Sequence, residues 1–176
     1  MYDEKDYRKA ALATFLQKYV YGLTPQNQPV FGDEVDVSKR RSYTDIQEGS
    51  SEFHCINPDS GAEYLVLEEP EVDGAMYRSI VGSIGHFNPD FIADHCGKSI
   101  DATTIYCLQN SGIEEEALHA LVRSLVSLGQ GLKKFVQNAE EIDGRGHYLA
   151  PYGGQETIVQ IPGVYPIRNY HIYRNF

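Results

Sequence analysis

Residues 51–69, SEFHCINPDSGAEYLVLEE, carry the strongest indication of the fold. Two runs with β-branched, aromatic and other apolar residues, 51–56 and 62–69, flank the segment NPDSG at 57–61. The Pro, Asp and Gly of this segment favour a tight reversal of the chain. The stretch therefore predicts a β-hairpin, and we expect the hairpin to belong to a larger sheet.

Several other segments have helical spacing of their apolar residues. Residues 2–23 predict an amphipathic helix of about five turns, and residues 73–85 predict a second helix that three glycines weaken. Residues 113–136 keep one apolar face for about six turns. Gly129 and Gly131 interrupt this face, either to bring a neighbouring backbone close or to bend the helix.

Helix boundaries are predicted from capping residues. Ser111 and Glu114 match a capping box before the longest helix. For a short helix over residues 89–96, Asn88 is a favoured N-cap and Pro89 suits the first helical position. Gly97 is expected to close that helix in the left-handed conformation.

The remaining segments favour strands and loops. Residues 103–109, TTIYCLQ, are β-branched and aromatic and predict a strand. Residues 24–51 predict a long loop with one short edge strand near 34–37. The Tyr- and Gly-rich residues 144–176 predict two or three C-terminal strands, near 148–149, 156–161 and 167–174.

Together these segments predict an α+β fold. We expect a mainly antiparallel sheet of about five strands, with two longer and one or two short helices packed on one face. A chain of 176 residues has the usual length of one domain, so we expect residues 1–176 to form a single domain.

The charge of the chain is acidic and uneven. The net charge is −10, with 14 acidic and 7 basic residues in 1–72, 10 and 5 in 73–143, and 1 and 3 in 144–176. Phosphates and anionic lipids would be repelled by most of this surface, which argues against direct binding to nucleic acid or membranes. An acidic mimic that inhibits a nucleic-acid enzyme is one alternative function.

The cysteines and the N-terminus indicate a cytoplasmic protein. Cys55, Cys96 and Cys107 are widely spaced and contain no CxxC pair, and no apolar segment follows a basic start. Free thiols are typical of a reducing compartment.

Residues 86–96 hold the densest group of chemically versatile side chains. His86, Asp94 and His95, with His147 or His171 from the C-terminal region, are the candidate catalytic residues of a small hydrolase with or without an assisting metal ion, which is the other alternative. The zinc motif HExxH is absent, and Cys96 at the negative end of a short helix is expected to be inert. We predict no metal site and no cofactor. His119 is expected to form a solvated ion pair with Glu115, four residues earlier.

The C-terminal region combines arginine with aromatic residues. Such mixtures suit a binding hot spot, although tyrosines that pack a sheet give the same pattern. With no nucleotide, metal or nucleophile motif present, we favour a non-enzymatic accessory, inhibitor or immunity-type protein that binds another protein. The chain could also form a homodimer. The candidate binding residues are Arg145, His147, Tyr148, Tyr152, Arg168, Tyr170, Tyr173 and Arg174.

Overall fold

The computed structural model describes residues 4–20, 43–150, 154–161 and 163–175. These residues form seven α-helices and a five-stranded antiparallel sheet, which confirms the predicted α+β class. The chain divides into two compact units, one of residues 1–72 with 149–176 and one of residues 73–148. That the whole chain is one domain stays a prediction.

The first unit contains the sheet and one long helix. Helix α1, Glu4–Phe15, continues into a π-helical turn, Leu16–Val20, as the N-terminal spacing predicts. The strand expected near 34–37 lies outside the described residues. The sheet order is β1-β2-β3-β5-β4, and every neighbouring pair is antiparallel. The strands are β1 Gln47–Glu48, β2 His54–Ile56, β3 Glu63–Glu68, β4 Glu156–Gln160 and β5 Asn169–Arg174.

The predicted hairpin is confirmed as β2 and β3. Cys55 lies opposite Tyr64, and the turn is closed by the Asn57 side chain, whose Oδ1 accepts from the backbone N–H of Asp59 at 3.0 Å. Gly61 takes the positive φ, 70°, that glycine adopts without strain. The segment predicted as a loop over 24–51 nevertheless contains β1, because its two residues extend the hairpin by pairing with β2.

One face of the sheet packs against α1. Side chains alternate between the two faces of each strand, and residues directly opposite each other in antiparallel strands share a face. Tyr64, Val66, Tyr170 and Ile172 therefore point to the same side, where they join the apolar face of α1 in a buried cluster. This cluster is the core of the first unit, and its other members include Leu12, Phe15, Leu16, Cys55 and Val159.

The second unit is helical in its described residues. The helix predicted over 73–85 is confirmed but begins earlier, at Glu69, because Pro70 is tolerated in a first helical turn. A 3₁₀ turn, Ile84–His86, follows it. The helices are α2 Glu69–Gly82, whose first turn belongs to the first unit, α3 Pro89–His95, α4 Ala102–Gln109, α5 Glu115–Leu128, α6 Leu132–Asp143 and α7 Arg145–Leu149, whose last residue belongs to the first unit.

Helix α3 begins as predicted and ends differently. Asn88 Oδ1 accepts from the backbone N–H of Asp90 at 2.8 Å, and Pro89 occupies the first turn. Gly97 is not left-handed, and the chain leaves the helix at Cys96 in an extended conformation. A left-handed cap is unnecessary because Gln130 donates to the carbonyls of Asp94 and His95 at the end of the helix.

The prediction of a strand over 103–109 is wrong, since these residues form α4. Asp101 caps the helix, with its Oδ1 accepting from both the backbone N–H and the hydroxyl of Thr104 at 2.8 and 2.7 Å. Ile105 is fully buried on the helix. A local cap and tertiary burial therefore outweigh the strand preference of Thr, Ile and Tyr.

The long helix expected over 113–136 is two helices, α5 and α6. Gly129 ends α5 because its backbone contacts His95 and Cys96, which leaves no room for a side chain. Of the two explanations for the glycine interruption, a close backbone approach and a bend, the first applies at Gly129. The capping box is wrong: Glu114 is the N-cap of α5 without a side-chain bond, and the Ser111 hydroxyl instead donates to Leu108 at the end of α4.

The strand expected at 148–149 is also wrong, because these residues belong to α7. Tyr148 has no strand neighbour, and its carbonyl oxygen accepts from the Ser79 hydroxyl at 3.0 Å. The strands predicted over 156–161 and 167–174 are confirmed as β4 and β5. None of the described helices is both long and apolar enough to cross a membrane.

Candidate functional site

Two of the C-terminal tyrosines predicted to bind a partner, Tyr170 and Tyr173, lie in the sheet. Tyr170 and Tyr173 are fully buried on opposite faces of β5. Tyr173 donates its hydroxyl to Glu156 Oε1 at 2.6 Å. These two side chains therefore stabilise the first unit, and we do not assign them to a binding surface.

His171, between these tyrosines, is 1% exposed and contacts two carboxylates. Its Nδ1 lies 2.5 Å from Glu156 Oε1, and its Nε2 lies 2.7 Å from Glu69 Oε2. Through these two contacts His171 joins β4, β5 and the start of α2 within the first unit.

The other predicted binding residues lie in several places. Arg168 pairs with Glu4 and Glu68 and lies over the ring of Tyr7. Arg174 is an exposed residue at the end of β5, and Tyr152 lies outside the described residues.

Three more of these candidates belong to α7. Arg145 pairs with Glu140 and Asp73, and His147 is exposed with its ring edge-on to Tyr148. Tyr148 donates to Asp143 Oδ2 at 2.7 Å, and burial, with this bond, raises the pKa of Tyr148. The predicted binding face is thus distributed over both units.

The predicted catalytic residues do not assemble into a site. No hydrogen bond or ion pair joins any two of His86, Asp94, His95 and His147, all of which the structure describes. Asp94 is exposed, whereas His95 is buried. His95 donates from Nδ1 to the Phe91 carbonyl at 2.8 Å and accepts at Nε2 from Asn138 at 2.8 Å.

Both nitrogens of His95 are therefore occupied, and the ring packs edge-on against Phe135. Cys96 next to it is buried, and burial raises the pKa of its thiol. This agrees with an inert cysteine at the end of α3.

A different group of side chains converges in the second unit. His86 Nε2 lies 3.0 Å from Glu115 Oε1, and His119 Nε2 lies 3.5 Å from the same oxygen. The 3₁₀ turn after α2 supplies His86, and the first turns of α5 supply Glu115 and His119. His86, Glu115 and His119 all have side chains that can bind a metal ion, and their ligand atoms all lie within 4.8 Å of one another.

The proton positions in this group follow from one backbone contact. The N–H of Gly85 donates to His119 Nδ1 at 2.9 Å, so Nδ1 is unprotonated. The single proton of the neutral ring is then on Nε2, which points to Glu115. Hydrogen bonds from His86 and then from His119 lower the pKa of Glu115. Glu115 thus accepts from His86 at 3.0 Å and has His119 Nε2 at 3.5 Å from the same oxygen.

Sequence analysis identified only part of this group. The spacing of four residues in α5 predicted the pair of Glu115 and His119, but as a solvated pair, and His119 is in fact buried. His86 is 33 positions before His119 in the sequence. Its contact depends on how the turn after α2 packs on α5, and no local pattern encodes that packing.

A second feature of α5 is an exposed apolar stripe. Ala117, Leu121, Ser124 and Leu128 recur at the spacing that places residues on one helix face, opposite the buried Val122 and Val126. Leu121 is 37% exposed and Leu128 is 84% exposed. Helix α5 therefore has two apolar faces, and its own unit buries one of them.

Comparison of the chain with protein-family models, with curated proteins and with solved structures finds no match.

Proposed function

We propose that the chain is a non-enzymatic protein that binds another protein through the exposed stripe of α5. The observation that supports this proposal is the second apolar face of the helix, which Ala117, Leu121 and Leu128 form around Ser124. An amphipathic surface helix ordinarily has a polar face toward solvent. Leucines at helical spacing on that side are typical of a surface that a partner helix covers.

The acidic residues near the stripe indicate the charge of the partner. Glu114, Glu115 and Glu116 are exposed at its N-terminal end, and the whole chain carries a net charge of −10. A second copy of the chain would bring the same charge, which opposes self-association. The complementary occupant is an amphipathic helix of a different protein, with apolar residues on one face and Lys or Arg beside them.

Photo-crosslinking tests this proposal directly. A photoreactive amino acid at Ser124, within the stripe, should give one crosslinked product in cells of the natural source. Peptide mapping should place the crosslink in a helical segment with apolar and basic residues. The same reagent at Gln137, an exposed position on α6, is the position control and should not give this product.

Matched variants distinguish binding through the stripe from nonspecific hydrophobic binding. Leu121→Gln with Leu128→Gln removes the apolar side chains and retains helix propensity, so the crosslink should disappear while the melting temperature changes little. Ile142→Gln changes an exposed apolar residue of α6 and should leave the crosslink intact. A product that joins two copies of the chain, or one that survives the double substitution, would overturn the proposal.

We also propose that the protein acts in the reducing cytoplasm. All three cysteines are free, and two of them, Cys55 and Cys96, are buried in different units. Unpaired buried thiols persist most readily where the environment keeps cysteines reduced.

A further inference from the structure

We propose that His86 and Glu115 bind a divalent transition-metal ion, and that His119 orients Glu115 without binding the metal itself. This inference rests on the second unit alone and is independent of the protein-binding proposal. It assigns a role to a group of side chains that the stripe of α5 does not use.

The spacing of the donor atoms supports a shared ion. A zinc ion binds imidazole nitrogen and carboxylate oxygen at about 2.0–2.1 Å, so two ligands of a tetrahedral site lie about 3.3 Å apart. His86 Nε2 and Glu115 Oε1 are 3.0 Å apart. A metal ion can therefore replace the proton between these two atoms with only small side-chain movements.

The backbone of Gly85 decides the role of His119. A histidine that binds a metal through Nε2 carries its proton on Nδ1 and donates it to an acceptor. At His119 the partner of Nδ1 is the N–H of Gly85, which is a donor. His119 therefore keeps its proton on Nε2 and donates to Glu115, as residues outside the ligand set commonly do for ligating carboxylates.

The surroundings favour a cation and leave it accessible. Glu114 and Glu116 are exposed beside Glu115, and their charges attract a divalent ion. His86 and Glu115 have side-chain exposures of 59% and 73%, so solvent or a partner group can fill the other coordination positions. One imidazole and one carboxylate suit Zn²⁺, Cu²⁺ or Ni²⁺ better than Mg²⁺ or Ca²⁺, which prefer oxygen ligands alone.

Isothermal titration of the full chain with Zn²⁺, without an affinity tag, tests the site. We expect one saturable ion per chain, with affinity reduced at least about tenfold by His86→Gln or by Glu115→Gln. Both side chains are exposed, so these variants should fold normally. Glu116→Gln removes a neighbouring charge without removing a ligand, and it should retain the saturable ion.

Nitrogen NMR of the imidazole rings tests the two histidine roles separately. Adding Zn²⁺ should shift the His86 Nε2 resonance strongly, while His119 keeps its proton on Nε2 and its unprotonated Nδ1. Three results would overturn the proposal: no saturable binding, saturable binding that His86→Gln leaves unchanged, or loss of the His119 Nε2 proton when Zn²⁺ is added.

Discussion

Gly85 controls the chemistry of the His86–Glu115–His119 group although it has no side chain of its own. A Cβ atom at this position would lie 2.8 Å from His119 Nδ1 and 3.0 Å from Leu118. Any larger residue would displace the His119 ring, and the hydrogen bond that places its proton on Nε2 would be lost. The sequence alone predicts only that Gly85 weakens a helix. Its contact with α5 joins segments that are far apart in the chain, so no local pattern reveals it.

The three cysteines should differ in reactivity. Burial raises the pKa of Cys55 to about 11, and Cys96 is also buried, whereas Cys107 is exposed. At neutral pH a thiol reagent such as DTNB should label one cysteine rapidly in the folded chain and all three after unfolding. Cys107→Ser should remove the rapid phase. Labelling of Cys55 at the rate of Cys107 would contradict the described core.

His171 should contribute strongly to stability. Its substitution by alanine removes the contacts to Glu69 and Glu156 and leaves a cavity on the face of the sheet where the buried ring lies. Because both carboxylates keep some contact with solvent, we expect a loss of about 2–3 kcal/mol in the free energy of unfolding. His147→Ala, at an exposed histidine, is the control and should change it by less than about 0.5 kcal/mol. If urea denaturation gave equal losses in the free energy of unfolding for His171→Ala and His147→Ala, the role of His171 would be refuted.

Residue patterns predicted the local features correctly and the long-range ones poorly. Asn88 and Pro89 start α3 as expected, because an N-cap acts within its own turn. The prediction that Gly97 closes α3 in the left-handed conformation is wrong, because Gln130, from a distant segment, donates to the carbonyls at the end of the helix. His119 was expected in solvent, since the sequence does not show which neighbour covers a helix face.

Secondary-structure elements with local determinants are also predicted correctly, whereas those that depend on distant contacts are not. The β2–β3 hairpin has its strands and turn in one short stretch, so the sequence predicts it directly. Helix α4 has strand-forming residues, and its helical state depends on the Asp101 cap and on burial of Ile105. The exposed stripe of α5 was mistaken for part of one long apolar face, because periodicity alone does not show which side is covered.

The corner between α5 and α6 gives a prediction for a single glycine. A Cβ at Gly129 would lie 2.6 Å from the carbonyl carbon of Cys96, a backbone atom that α3 holds in place. We therefore expect Gly129→Ala to reduce the free energy of unfolding by at least about 2 kcal/mol. Gly82→Ala is the matched control, because nothing lies within 4 Å of the added atom, and it should be neutral or stabilising. Equal melting temperatures for the two variants would contradict the close approach.

For the whole molecule, the predicted segments indicated the fold class, and an acidic surface stays a prediction from composition. The α+β class followed from counting helical and strand-like segments, although two segments predicted as strands are helices. Composition does not reveal the two compact units, because their boundaries depend on contacts between distant segments. The proposed binding stripe and the proposed metal-binding group lie within residues 86–128, outside the C-terminal region 144–176 that the residue pattern favoured.

Native mass spectrometry of the protein from its own cells, prepared without chelator, tests the protein-binding proposal most directly. We predict a complex of one chain with a different, basic protein, which is lost with Leu121→Gln and Leu128→Gln and weakened by added salt, since exposed charges are screened. Ile142→Gln should retain the complex. A homodimer, or a bare monomer whose spectrum is the same for the wild type and the double variant, would contradict the proposal.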